Sequence, residues 1–132
     1  MILVVDTNVW ISALRFGGTV AQVLEKAVEL GEVVTSPMIL EEVSRVFAEK
    51  FRVDTGTVLR VVEQIRTYAR EVHPTDPAPE VCRDPNDNHV LHLCRFVAAD
   101  ILLTGDKDLL VLKQFEQTRI LRPAQFAELL QG

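Results

Sequence analysis

Positive charge is in short supply in this 132-residue sequence: 14 lysines and arginines stand against 19 aspartates and glutamates, for a formal net charge of −5. That balance argues against a protein that grips nucleic acid through a broad basic surface. It does not exclude chemistry on nucleic acid, because cations neutralise an acidic cleft and a few local arginines hold phosphates. Cysteine is scarce too. Cys82 and Cys94 are the only two, too few for a disulfide framework and without the neighbouring histidines of a zinc site. The expected setting is reduced and cytoplasmic. Long apolar runs are missing: Ile2-Leu3-Val4-Val5 stops at Asp6, and no basic leader precedes it. Neither an ordinary signal peptide nor a membrane span is expected from that opening. Repeats and low-complexity stretches are absent, and the hydrophobic share of 48% with 25% charged residues fits a globular chain. We expect a single domain over residues 1–132.

Apolar patterning then supplies an order of elements. Residues 2–5 are β-branched at three of four positions without alternation, as in a central strand buried on both faces. Asp6 ends it, and a short helix carrying Val9, Trp10, Ile11, Ala13 and Leu14 runs to the break at Gly17-Gly18. Thr19, with Gln22 three residues later, reads as the capping box of a second helix that ends at Gly31. Residues 32–35 form a second strand, and Ser36-Pro37 caps a third helix with proline at its first position. A fourth helix is expected over roughly 57–72, followed by a proline-rich crossing over 73–85. Asp84-Pro85-x-Asp87 opens another helix. Strands at 99–104 and 119–121 follow, with a short helix over 108–113 between them and a last helix from Pro123. Alternating strands and helices imply an α/β architecture, a three-layer α/β/α sandwich around a mainly parallel sheet.

The chemistry-bearing residues fall at strand ends. Asp6 closes the first strand and Asp106 lies just past a later one, and parallel strands bring their carboxyl ends to one edge. Glu42 is one and a half turns into the helix after the second strand, and Asp87 is in the first turn of another. Four converging carboxylates would repel one another without a cation, so the pattern calls for a hard, oxygen-seeking metal, Mg²⁺ or Mn²⁺. With neither histidine nor cysteine in the set, zinc is disfavoured.

Four fragments carry a family resemblance: V-V-D-T-N-V-W-I-S-A at 4–13, S-P-M-I-L-E-E-V at 36–43, C-R-D-P-N-D-N at 82–88 and L-L-T-G-D-K-D-L-L at 102–110. In this order they resemble the PIN-domain nucleases, including the bacterial and archaeal proteins related to VapC-type toxins, over essentially the whole chain. The resemblance implies that Asp6, Glu42, Asp87 and Asp106 occupy the acidic catalytic and metal-binding positions. It further implies an endoribonuclease that hydrolyses RNA with Mg²⁺ or Mn²⁺, commonly as a homodimer and in some members restrained by a small antitoxin.

Each of these residues also has a plainer role. Asp6 can cap the helix it precedes, and Asn8 can cap it or bond Asp6. Glu41 neighbours Glu42, but helical geometry turns the two about 100° apart and leaves Glu41 to solvent. Asp84 and Asp87 can be a capping pair. Asp108 can cap its helix, and Thr104 can simply end a strand. We place Asn8, Asp84, Thr104 and Asp108 around the four carboxylates as supporting residues. Arg45, Lys50, Arg52, Arg60, Arg66, Arg70 and Lys107 are candidate phosphate contacts. His89 and His92 form no H-E-x-x-H motif and read as ordinary helix residues, and Trp10 reads as core. Competing functions are a DNA nuclease with the same acidic site, a receiver-like phosphorylation domain, and a catalytically inactive binding module. The receiver reading fits Asp6 poorly, since that fold orders its acidic pair, phosphoacceptor and late lysine differently.

Overall fold

In the computed structural model, which describes residues 1–81 and 85–131, the first half of the chain runs β1 (Ile2–Val5), α1 (Thr7–Phe16), α2 (Gly18–Leu30), β2 (Glu32–Thr35) and α3 (Pro37–Arg45). A π-helical turn (Val46–Lys50), α4 (Thr55–Tyr68) and β3 (Ala69–Glu71) follow. The second half comprises a 3₁₀ turn (Pro85–Asp87), α5 (Asn88–Val97), β4 (Ile101–Leu103), α6 (Lys107–Leu110), β5 (Gln114–Phe115), β6 (Thr118–Leu121) and α7 (Pro123–Gln131).

The strands form one sheet in the order β3-β2-β1-β4-β6-β5, parallel throughout except for the terminal β5–β6 pair. Leu3, Val4 and Val5 in β1 and Leu102 and Leu103 in β4 are wholly buried, which is why neither strand alternates in sequence. From β1 the chain moves one way to β2 and β3, then returns past β1 to β4 and β6. Right-handed crossovers in opposite directions deliver their helices to opposite faces. Accordingly α1 to α4 pack on one another with α7 against α2, while α5 packs on β1. The result is the three-layer α/β/α sandwich with a mainly parallel sheet.

Local signals explain most helix boundaries. The Ser36 hydroxyl accepts from the Ile39 amide at 3.3 Å with Pro37 in the first turn, as the sequence predicts. Asp54 caps α4 through the Thr57 amide. Gly17 and Gly18 adopt φ values of 68° and 65°, the left-handed region that separates α1 from α2.

Several expectations need correction. Thr19 caps nothing: α2 begins at Gly18 behind Gly17, with no side-chain cap. The fourth helix stops at Tyr68, and Ala69–Glu71 form β3, paired in parallel with Val33–Thr35. Ala69 continues the helical stripe of Ile65 four residues before it, so periodicity alone could not separate the two states. The two-residue β5 was also missed; it pairs with β6 around a turn in which Glu116 takes φ 51°. Asp84 and Cys82 lie outside the described residues. Among the described residues, no helix is long and apolar enough to cross a membrane.

Candidate active site

The carboxyl ends of β1 and β4 lie side by side where the chain reverses its direction of travel across the sheet, the place where open α/β sheets open a crevice. The Asp6 amide donates to the Leu103 carbonyl at 2.9 Å, so the first residue beyond β1 is fixed against the last residue of β4. Asp6 is also the N-cap of α1, its Oδ1 accepting from the Thr7 amide at 2.8 Å. The capping role and a position at the strand-end crevice therefore coexist in one residue.

The Thr104 hydroxyl, fully buried, donates to Asp6 Oδ2 at 2.7 Å and accepts from the Asp106 amide at 3.0 Å. Asn8 makes a second bridge. Its amide nitrogen lies 3.3 Å from Asp6 Oδ2, and its carbonyl oxygen accepts from the Gly105 amide at 3.1 Å. Asn8 is thus no helix cap; it ties the two strand ends together. Asp106 caps α6 by accepting from the Asp108 amide at 2.9 Å, which takes the capping role from Asp108.

Carboxylate oxygens of Asp87, Asp106 and Asp108 lie within 4.8 Å of one another, all three side chains partly exposed. Oxygens bound to one Mg²⁺ at about 2.1 Å lie at most ~4.2 Å apart, so small side-chain rotations would bring this trio onto a cation. Asp6 stands beside it. Burial pushes the Asp6 carboxyl above the ordinary carboxylate range; hydrogen bonds from Thr104 and Thr7 oppose this, and the charges of Glu42 and Asp106 add to it. A buried carboxylate facing two like charges is poorly stable alone and is relieved by a bound cation or proton. The donor set therefore fits a hard divalent metal.

Glu42 of α3 lies outside that trio but close enough to Asp6 for its charge to raise the Asp6 carboxyl. Thr7 Oγ1 donates to its Oε1 at 3.0 Å, and His89 Nε2 lies 2.6 Å from the same oxygen. Burial acts to raise the Glu42 pKa, but His89, Thr7 and the Arg45 charge together hold it below the usual value. Glu41 points outward to Arg45 at 3.2 Å. Of the adjacent pair, Glu42 is the one that bonds Thr7 beside Asp6 and whose charge acts on Asp6.

The sequence assigns Thr7 no role, and it marks His89 only as an ordinary helix residue. Thr7 lay inside the first motif fragment with no feature of its own. His89 carries no signal short of the docking of α5 beside α3. His92, by contrast, pairs with Asp76. Trp10 is 1% exposed, a core residue as expected. Cys94 is buried, and burial pushes its thiol up, so it is no nucleophile. Of the candidate phosphate contacts, Arg45, Arg66 and Arg70 sit in exposed pairs with Glu41, with Glu63 and Glu71, and with Glu32. Arg60 donates to the Thr57 hydroxyl and Lys107 is exposed.

Residues 2–108 match a family model described as a PIN domain. Among solved structures, a chain of VapBC2 from Rickettsia felis, crystallised with a DNA fragment from their promoter, superposes with a TM-score of 0.69. It is 12% identical, over 92% of this chain and 98% of that one. VapC20 of Mycobacterium tuberculosis, described as a sarcin-ricin loop cleaving toxin, gives 0.64 at 17% identity, covering 89% and 98%. VapBC-1 from nontypeable Haemophilus influenzae gives 0.62 at 15% identity, covering 94% and 99%. At such identities the likeness speaks for the fold. No curated protein matches the chain.

Proposed function

Since the chain belongs to the PIN domain family, we propose that it is a divalent-metal-dependent endoribonuclease that hydrolyses RNA phosphodiester bonds, acting as the toxin of a toxin–antitoxin pair. The observation that supports this reading is the group Asp87, Asp106 and Asp108 beside the switch point of the sheet, with Asp6 buried there and its carboxyl raised further by the charges of Glu42 and Asp106. In this reading Asp6, Glu42, Asp87 and Asp106 hold Mg²⁺ or Mn²⁺, and Asp108 extends the shell. The cation supplies charge stabilisation for the phosphodiester and acidifies the attacking water. The chain's own residues do the positioning. Thr104 and Asn8 fix Asp6 against the end of β4, and the Thr104 hydroxyl also orients the Asp106 backbone. Such fixed carboxylates need little reorganisation at the moment of reaction.

RNA as substrate follows from the family resemblance and is supported by the description of VapC20 as a loop-cleaving toxin. A cleavage assay with labelled single-stranded RNA, structured RNA and DNA tests it. We expect RNA to be cut with Mn²⁺ or Mg²⁺ and cutting to stop on chelation. Cleavage of DNA alone would replace the substrate with DNA, and no cleavage of any of the three would leave an inactive binding module.

The same proposal includes a homodimer as the working form and a small antitoxin as partner, the latter supported by the two VapBC assemblies among the similar structures. Light scattering over a concentration series is expected to give twice the monomer mass. A persistent monomer at tens of micromolar would remove the dimer.

A further inference from the structure

Glu42 is held in an unusual way for a carboxylate intended to meet a cation. Both protein donors that reach it, Thr7 Oγ1 at 3.0 Å and His89 Nε2 at 2.6 Å, lie on the same oxygen, Oε1. Among the described residues, no hydrogen bond reaches Oε2. A carboxylate oxygen has two lone pairs, so two donors fill the capacity of Oε1 and leave Oε2 free to accept a further ligand.

His89 bears a cost in that position. Its side chain is 10% exposed, and its other ring nitrogen, Nδ1, is buried with no hydrogen-bond partner. A buried polar atom without a partner lowers stability, and an apolar side chain of similar size would avoid the loss. A histidine kept purely for packing would be a poor choice there. His89 also sits two residues beyond Asp87 on the helix that begins there, so its contact with Glu42 links α3 to the start of α5 and couples the placement of the two carboxylates.

We propose that His89 is a positioning residue for the metal site: with Thr7 it occupies Oε1 of Glu42, so that Glu42 serves the cation or its water through Oε2 alone. The inference rests on the metal-dependent reading above. It parallels the general behaviour of outer partners that orient metal-binding carboxylates. The sequence placed His89 among ordinary helix residues, and the contact across 47 positions from Glu42 to His89 is what changes its standing.

The test uses the full chain with His89→Ala, His89→Gln, Glu42→Gln and the double variant His89→Ala/Glu42→Gln. Mn²⁺ affinity is read by calorimetry, with melting of the metal-free proteins beside it. Loss of an orienting partner is expected to weaken Mn²⁺ binding about 10-fold or more in His89→Ala. Glutamine places an amide N–H close to the position of Nε2, so His89→Gln is expected to recover most of the affinity. In the Glu42→Gln background, removing His89 is expected to change the residual affinity little, because the partner it orients has lost its charge. His89→Ala with wild-type affinity overturns the proposal. So does a loss that glutamine does not repair, or one that persists undiminished without Glu42, since either marks a structural role. A wild-type protein that binds no Mn²⁺ overturns the metal reading itself, an outcome told apart because wild type and variants then behave alike.

Discussion

Asp6→Asn is expected to leave the protein folded, to weaken Mn²⁺ binding strongly and to cut RNA cleavage by about 10²-fold or more. Asparagine keeps the size of the side chain and an oxygen that can accept from the Thr7 amide, the contact that caps α1. What disappears is the buried negative charge, together with the acceptor oxygen that Thr104 and Asn8 bond. A divalent cation loses water ligands on entering such a site and needs formal charge in return. Single-turnover cleavage and calorimetry read the two losses.

The same variant is expected to melt higher than wild type in metal-free buffer at neutral pH. The folded-state pKa of Asp6 is raised, chiefly by burial, so ionised Asp6 costs stability at any pH above that value. The cost begins to shrink as pH falls through the raised folded pKa and is gone below the ordinary carboxylate value, where Asp6 is protonated in both states. Metal-free wild type should therefore gain on Asp6→Asn as pH falls from the raised folded pKa to the ordinary carboxylate value, and the gap between the two should have closed below that value. Saturating Mn²⁺ should reverse the order, because only wild type binds it well. An Asp6→Asn protein that binds Mn²⁺ and cleaves RNA like wild type would remove Asp6 from the site, and with it the reading built on the strand-end cluster.

The second large effect concerns the strand that presents half of that cluster. Leu102 is wholly buried at the centre of β4, in register with Val4 of β1 on one side and Ile120 of β6 on the other. Leu102→Ala is expected to cost about 3–5 kcal/mol, the transfer of the lost methyl groups plus the cavity they leave. Typical domains have a total of about 5–15 kcal/mol, so the variant should be near the edge of folding at body temperature. A melting point lower by roughly 10–20 °C is the corresponding shift. Because Thr104 and Asp106 follow β4 directly, Mn²⁺ should restore part of the lost stability. A loss below about 1 kcal/mol in urea titration would show that β4 is not packed as the site requires.

The strand-end aspartates could be found without coordinates because each follows a short, unbroken apolar run. A run buried on both faces has to end where the chain meets solvent, and a carboxylate at that boundary is conspicuous. Glu42 could be chosen over Glu41 because a helix turns neighbouring residues about 100° apart, and the outward pairing of Glu41 with Arg45 agrees with that choice. Other features had no such mark. β3 is three residues long and continues the spacing of the helix before it, and β5 is two residues long; strands so short exist only because a neighbour already offers unpaired backbone groups. Thr19 had the right residue type for a cap and was passed over because the two preceding glycines could take the turn instead.

Local chemistry therefore determined the α/β class, the caps at Ser36 and the order in which the acidic residues reach the ends of their strands, since helix and strand periods and capping act over a few residues. The hydrogen bond from Thr104 to Asp6 joins residues 98 positions apart, and that from Thr7 to Glu42 joins residues 35 apart. Only the tertiary structure decided those contacts, the raised pKa of Asp6 and the hold of His89 on Glu42. Each depends on which buried surfaces meet once the sheet has closed, and distance along the chain carries no information about that.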